Sequence, residues 1–167
     1  EADLVTCISS PLEKLVRETY GRTQTSIVLE NGFRSDLFRS MDKEAARSQI
    51  GLPHDKILIG TAGAIERSRD IEVLFRAADK LSAYDSRIEL AIAGPREPGL
   101  KWPTRAKVHD LGILKHSDIP AFFNAIDVMV AMNKASDFGA FCHPQKIIEA
   151  VACGTPVIAP DLGTMAS

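Results

Sequence analysis

The sequence has few cysteines, no marked excess of either charge and no long apolar run, and each shortfall removes a class of protein. Its three cysteines, Cys7, Cys142 and Cys153, form no close pair and no metal-like spacing. So odd and sparse a set argues against a disulfide scaffold and for a reducing compartment, so a cytoplasmic chain is expected. Peripheral attachment to the inner face of a membrane is left open for a full-length protein. A formal net charge of −2 lacks the basic excess that nucleic-acid binders carry. No apolar run approaches the roughly 18 residues that span a bilayer, and the first residues lack the basic and apolar regions of a signal peptide. There is no Asp-x-Asp and no histidine cluster: His54, His109 and His116 have no partner at ligand spacing and read as surface or turn residues, so no metal is expected. The dinucleotide fingerprint G-x-G-x-x-G is missing too. The loop after one strand reads GTAGAI, and the next strand, Ile88 to Ala93, ends in Ala-Gly where a ribose-holding acid would stand, which disfavours a dehydrogenase. Cys142 beside His143 does not make a nucleophile, because adjacent side chains rarely face each other and no third group orients them.

What is present is a chain of 167 residues, 45% hydrophobic and 25% charged, enough for one ordinary soluble domain. Leu4 to Ile8 reads as a short strand. Ser10 then caps a helix with Pro11 at its first position, Glu13 three residues after the cap, and Leu12, Leu15 and Val16 as the buried stripe. Ser26 to Leu29 is a second strand, and Asp42 to Ile50 a helix stopped by Gly51 and Pro53. From Lys56 the pattern alternates strongly. Strands at Ile57 to Gly60, Ile88 to Ala93, Val108 to Leu111, Val128 to Ala131 and Pro156 to Ala159 are separated by helices or loops. One helix starts at Asp70, with Ile71, Leu74, Phe75, Ala78 and Leu81 on one face; another starts near Pro120. Such βαβ spacing predicts a Rossmann-like parallel sheet with helices on both faces. Ligands of such sheets bind at the carboxyl ends of the strands, so the loops at 61–69, after Gly94, after Gly112 and at 133–143 are expected to share one rim. The opening residues look like the interior of a fold, and a piece of a longer protein is expected. Residues 1–53 read as the end of an N-terminal region with an interdomain segment, and 54–167 as the binding domain, incomplete at its C-terminus.

The stretch HPQKIIEAVACGTPVIAP, from His143 to Pro160, concentrates the candidate chemistry. Pro144 suits the first position of a helix and Gly154 the left-handed residue just past its end. Ile147, Ile148, Val151 and Ala152 fall on one side, leaving Gln145, Lys146 and Glu149 on the other. A helix start with Lys146 in its first turn and His143 before it attracts phosphate. Glu149 offers two acceptors to a vicinal diol such as that of a ribose. Both residues are equally well explained as an exposed i,i+3 ion pair. In the loop after Gly60, Arg67 and Arg69 present the paired donors that suit a diphosphate, and Gly63 lets backbone approach a ligand. Glu66 and Asp70 beside them supply an alternative of local ion pairs.

Taken together and in order, the segments ADLVTCISS, ENGFRSDLF, ILIGTAGAIERSRDIEVLFRAADKL, IELAIAG, LGILKHSDIPAFFNAIDVMVA and PQKIIEAVACGTPVIAPDLG resemble the donor-binding C-terminal half of a GT-B fold glycosyltransferase, most like family 4. The resemblance implies metal-independent, retaining transfer of a sugar from a nucleotide diphosphate donor, with no cofactor. The acceptor, a sugar or a lipid-linked one, would be held by a missing N-terminal domain, so this piece alone is expected to be inactive. Glu149 would hold the ribose, Arg69 would stabilise the leaving diphosphate, and backbone near Gly112 would meet the base. Three departures stand out. Phe141 occupies the place of a second glutamate that contacts the donor sugar in many members, for which Asp137 is a substitute; Pro144, Lys146 and Glu149 also fit a subgroup with the pattern P-x-K-x-x-E. Ala64 replaces an arginine, whose phosphate contact passes to Arg67. The chain also stops before the closing elements of such a domain. Rival readings are a nucleotide-sugar epimerase of the same fold and a non-catalytic nucleotide-sugar binding module.

Overall fold

A computed structural model describes residues 3–21, 26–134, 141 and 144–161. Two parallel sheets organise them. The smaller pairs β1 (Val5–Cys7) with β2 (Ser26–Val28), joined through helix α1 (Ser10–Tyr20). The larger contains β3 (Ile57–Ala62), β4 (Ile88–Ala93), β5 (Val108–Asp110), β6 (Val128–Val130) and β7 (Val157–Ile158), in the spatial order β5-β4-β3-β6-β7, all parallel. This is the Rossmann order, in which the chain builds outward from β3 to one edge and then returns to build outward from β3 to the other.

Strand alternation sets the two faces. On β3 and β4, Leu58, Ala62, Ala91 and Ala93 point to one side, while Ile59, Leu90 and Ile92 point to the other. The first side is covered by α2 (Lys43–Ile50), α4 (Ile119–Ala125) and α5 (Gln145–Ala152), which bring Ala46, Phe122, Phe123 and Ala150. The second is covered by α3 (Ile71–Tyr84) through Ile71, Leu74, Phe75 and Ala78. No helix crosses between β4 and β5. The loop there is tied to α3 by Asp79, which accepts from the amides of Thr104, Arg105 and Ala106 and from the Thr104 hydroxyl, and by Trp102 stacked on Phe75 with ring centroids 5.3 Å apart.

Several local expectations shift. Ser9, not Ser10, caps α1: its hydroxyl accepts from Leu12 N at 3.3 Å. Ser9 is fully buried and also donates to the Phe141 carbonyl at 3.1 Å, a second bond that the outer serine does not make. Glu13 therefore does not close a capping box; it pairs with Arg17 and Ser26. No residue of α1 is fully buried, and Leu15 stays 39% exposed, so its apolar stripe is only half covered. Asp70 does not start α3 but takes a left-handed turn (φ 55°) between the 3-10 turn Arg67–Arg69 and Ile71. Leu81, at the far end of α3, is exposed. Pro144 caps α5 from the extended region and is not its first helical residue, while Gly154 is left-handed (φ 80°) as anticipated.

α2 packs on α4, and one buried cation fixes the contact. The Arg47 guanidinium, 2% exposed as a residue, donates to the carbonyls of Ala125 (2.8 Å), His54 (2.9 Å) and Lys56 (3.0 Å) and to Asp127 Oδ2 (2.9 Å). Asp127 in turn accepts from Leu58 N at 2.8 Å, anchoring β3 to the turn before β6.

Candidate functional site

The loops leaving β3, β4 and β5 are hydrogen-bonded to one another. Gly63 N donates to Ala93 O (2.9 Å), Ile65 N to Pro95 O (2.9 Å), Glu97 N to Ile65 O (2.9 Å) and Gly94 N to Gly112 O (2.7 Å). The approach is so close that a Cβ on Gly94 would lie 1.9 Å from the Gly63 carbonyl oxygen. Gly63 itself has φ 108°, a conformation that side chains rarely adopt. This rim stands at the carboxyl ends of the strands. Because β3 and β6 lie where the strand order reverses, the crevice above them is the position at which open α/β sheets bind ligands.

An open cleft of about 330 Å³ occupies that position, lined by Ala62, Gly63, His116, Ile119, Phe123, Gln145, Lys146 and Glu149. β3 delivers the glycine loop, α4 an apolar floor, and α5 its polar edge. Glu149 is only 8% exposed, so the surface ion pair that spacing alone allowed is excluded. Burial pushes its carboxyl above the usual range, partly offset by the charge of His116 and by a hydrogen bond with Gln145. Lys146 does not pair with it. Its ammonium donates to the Ala62 carbonyl at 3.3 Å, beside Gly63. Of the first amides of α5, Ile147 N donates to the Pro144 carbonyl at 3.0 Å, while those of Gln145 and Lys146 have no acceptor within the helix. A buried carboxylate, an ammonium and a helix start around a bare glycine loop can together hold a ligand with hydroxyls at one end and anionic oxygens at the other.

Gly63, Gln145, Lys146 and Glu149 are thus brought together, with Pro144 capping the helix that carries three of them. Gly112 stands on the rim through its bond to Gly94, left-handed at φ 62° and with its own N–H held by Asp110 at 3.0 Å. The two arginines are elsewhere in detail. Arg67 turns to Glu97, the Gly99 carbonyl and Glu72, and lines a separate hollow of about 250 Å³ with Asp70, Val73, Arg76 and Lys134. In this arrangement it does not reach the Glu149 cleft. Arg69 donates to Glu66 at 3.0 Å within the same 3-10 turn. Asp137 and His143 lie outside the described residues. Reading from sequence missed His116, which lines the cleft and stands edge-on to Phe38 at 5.6 Å. Its position four residues after Gly112, on a loop already assigned to the rim, was the available signal. Among the described residues no group of three His, Cys, Asp or Glu side chains could hold a metal ion, and no helix is long and apolar enough to cross a membrane.

A family profile described as glycosyl transferases group 1 matches residues 56–167. The D-inositol 3-phosphate glycosyltransferase of Mycobacterium bovis is 33% identical over 147 residues, which cover 81% of this chain but 29% of that enzyme. The chain therefore spans less than a third of the curated relatives it matches. Among solved structures, Anabaena HepE in complex with UDP superposes with a TM-score of 0.79 at 23% identity, covering 99% of this chain and 46% of that one. The sucrose-phosphate synthase of Thermosynechococcus elongatus superposes with a TM-score of 0.72 at 23% identity, covering 99% and 42%. At these identities the structures establish the fold, one half of a GT-B architecture.

Proposed function

The chain belongs to the glycosyl transferases group 1 family, and from that premise we propose that its cleft binds the nucleotide diphosphate part of a sugar donor for transfer to an acceptor held by the rest of a longer protein. The observation that carries the reading is Glu149: a carboxyl 8% exposed, lining a cleft beside a glycine loop and a helix start, with no cation at ion-pair distance among the described residues. Burying a carboxyl in that way costs stability unless a ligand uses it. The vicinal hydroxyls of a ribose donate to its two oxygens. The diphosphate lies against Gly63 and the first amides of α5, where Lys146 exchanges the Ala62 carbonyl for a phosphate oxygen.

By the family resemblance, Arg69 would leave Glu66 to meet the leaving diphosphate, and backbone near Gly112 would meet the base. Transfer is retaining and proceeds without a metal, the charge that develops on the leaving diphosphate being met by Lys146, Arg69 and the helix start, the kind of preorganised stabilisation that dominates catalysis. HepE was solved with UDP, which makes UDP the first ligand to try here.

Titration of the chain with UDP, GDP and ADP, followed by amide shifts, tests the site. Perturbation centred on Gly63, Arg69, Gly112 and residues 145–149 is expected from one of the three, with affinity about tenfold or more weaker in E149A, the scale of a hydrogen bond to a charged group. If none of the three moves these amides, the donor-site reading is wrong. Product analysis of a longer protein containing this chain then distinguishes sugar on an acceptor, as proposed, from an epimerised nucleotide sugar or no turnover.

A further inference from the structure

Over much of the described surface an exposed cation faces a carboxylate, as Arg17 does Glu13, Arg34 does Asp36, Lys43 does Asp127, Arg87 does Asp85 and Arg96 does Asp110. One face departs from this. Arg76 and Lys80 on α3, with Lys101 and Arg105 on the β4–β5 loop, are exposed and have no carboxylate at ion-pair distance among the described residues. The helical period puts them together. Ile71, Leu74, Phe75 and Ala78 turn inward, so Val73, Ala77, Lys80 and Tyr84 line the outer side of α3, and Arg76 falls between that side and the flank along which the loop runs. The loop is held on that flank by the amides given to Asp79, by Lys101 N to Glu72 at 3.4 Å and by Trp102 stacked on Phe75. The acids nearby are engaged: Asp79 accepts from Thr104, Arg105 and Ala106, and Glu72 pairs with Arg67 at 3.5 Å.

The same face shows apolar and aromatic surface. Tyr84 is 93% exposed and Trp102 37%, and Val73 and Leu81 are open to water on the outer side of α3. Cations interleaved with indole, phenol and aliphatic groups suit the boundary of a bilayer, where charged heads meet phosphate while their stems and the rings rest on the upper acyl region. A nucleic acid would use the charge but leave Val73 and Leu81 against water. We propose that the outer side of α3 and the loop at 101–105 form a docking face for a bilayer that carries acidic phospholipids. The chain as a whole has a formal net charge of −2, so it is this local grouping that draws it to an anionic surface. Each cation brought against an anionic leaflet raises partitioning about fivefold at most, less as salt screens it. α3 covers the side of the sheet opposite α5, so docking leaves the Glu149 cleft uncovered. None of these residues lines that cleft, and the inference does not depend on the nucleotide-sugar reading.

The sole tryptophan lies in the proposed face and reports the contact itself. Mixed at low salt with vesicles of equimolar phosphatidylcholine and phosphatidylglycerol, the full chain should sediment with the lipid and its Trp102 emission should move to the blue. Vesicles of phosphatidylcholine alone should produce neither effect, and high salt should reverse both. K80Q/K101Q should lower partitioning by up to about 25-fold, whereas K14Q/R34Q, which removes the same charge elsewhere, should stay near wild type. Glutamine at these exposed positions leaves the Asp79 and Trp102 contacts in place, which Trp102 emission without lipid verifies. No sedimentation with the mixed vesicles, equal binding to neutral ones, or K80Q/K101Q bound as tightly as wild type overturns the proposal. So does sedimentation without a change in Trp102, which places the contact on another face. A Trp102 response to polyuridylate but not to vesicles overturns it too, and assigns the face to nucleic acid.

Discussion

Gly94→Ala is the sharpest test of how the rim is built. The added Cβ would sit 1.9 Å from the Gly63 carbonyl oxygen, and real Cβ atoms essentially never approach within 3.0 Å, so the two loops must part by at least about 1 Å. The atom met is backbone, not the end of a flexible side chain, so no rotamer change relieves it. The residue also has φ 141°, outside the range that alanine adopts readily. Forced backbone of this kind costs about 1–3 kcal/mol, and loss of the Gly63 N to Ala93 O bond adds about 1 kcal/mol. Together, about 2–4 kcal/mol corresponds to a fall in melting temperature of roughly 5–15 °C for a domain of this size.

Gly112→Ala is the control. Its φ of 62° carries left-handed strain, but nothing lies within 4 Å of the added carbon. That strain is worth about 1–2 kcal/mol, so the melting temperature should fall by only a few degrees. Calorimetry gives the stabilities, and UDP titration the functional effect. Displacing Gly63 by about 1 Å withdraws the backbone from the phosphate, so G94A should lose roughly tenfold in UDP affinity, the worth of one charge-assisted hydrogen bond. A G94A chain no less stable than G112A would refute the claim that close approach, and not conformational freedom alone, requires glycine there.

Two further predictions concern the scaffold. Arg47→Met keeps the apolar stem but leaves Asp127 Oδ2 and three carbonyls short of a donor; breaking a buried pair on one side costs about 3–5 kcal/mol, to be read by urea denaturation. Burial raises the Asp127 pKa, but the Lys43 bond, the Leu58 amide and the Lys43 and Arg47 charges outweigh it and leave the value lowered. The gap between R47M and wild type should therefore be full above the ordinary carboxyl range and shrink as pH falls through the lowered Asp127 value. Asp79 is held down to about 2 by the amides of Thr104, Ala106 and Arg105. Its hold on the β4–β5 loop is complete above its unfolded value and is lost as pH falls toward 2, so the fluorescence of Trp102, the sole tryptophan, should change between about pH 4 and 2. In D79A the neutral-pH spectrum should already resemble the acid one; an unaltered spectrum would remove Asp79 as the anchor.

Much of this architecture was legible because periodicity and punctuation carry it. The alternation in ILIGTA and IELAIA, the helical stripe Ile71, Leu74, Phe75 and Ala78, and the stops at Gly51 and Gly154 are each local rules, and each element formed within a residue or two. What sequence could not decide was any choice settled by a distant partner. Ser9 and Ser10 are equivalent as caps until the Phe141 carbonyl, 132 residues away, selects the inner one. Arg47 drew no notice in the sequence, because only the carbonyls converging from Ala125, His54 and Lys56 make it a core residue. Glu149 was balanced between a surface pair and a ligand site for the same reason, since burial depends on what α4 and the β3 loop place over it.

The division between Arg67 and Lys146 follows from the same topology. Both are cations near the mouth of β3, and both suit a phosphate by chemistry alone. Yet the chain leaving β3 crosses to the α3 face, carrying Arg67 to Glu97 and Glu72, whereas α5 returns on the opposite face and brings Lys146 to the Ala62 carbonyl. Glu149, three residues further along α5, is committed to that second face. A ligand that uses Glu149 therefore meets Lys146 without any rearrangement of the backbone. To meet Arg67 as well, it would have to break the Glu97 pair and bend around the end of β3. The carboxyl at Glu149 thus selects which cation serves the cleft, and a charge-neutral Lys146→Gln should weaken nucleotide diphosphate binding where Arg67→Gln leaves it nearly unchanged, a comparison that calorimetric titration with UDP can make directly.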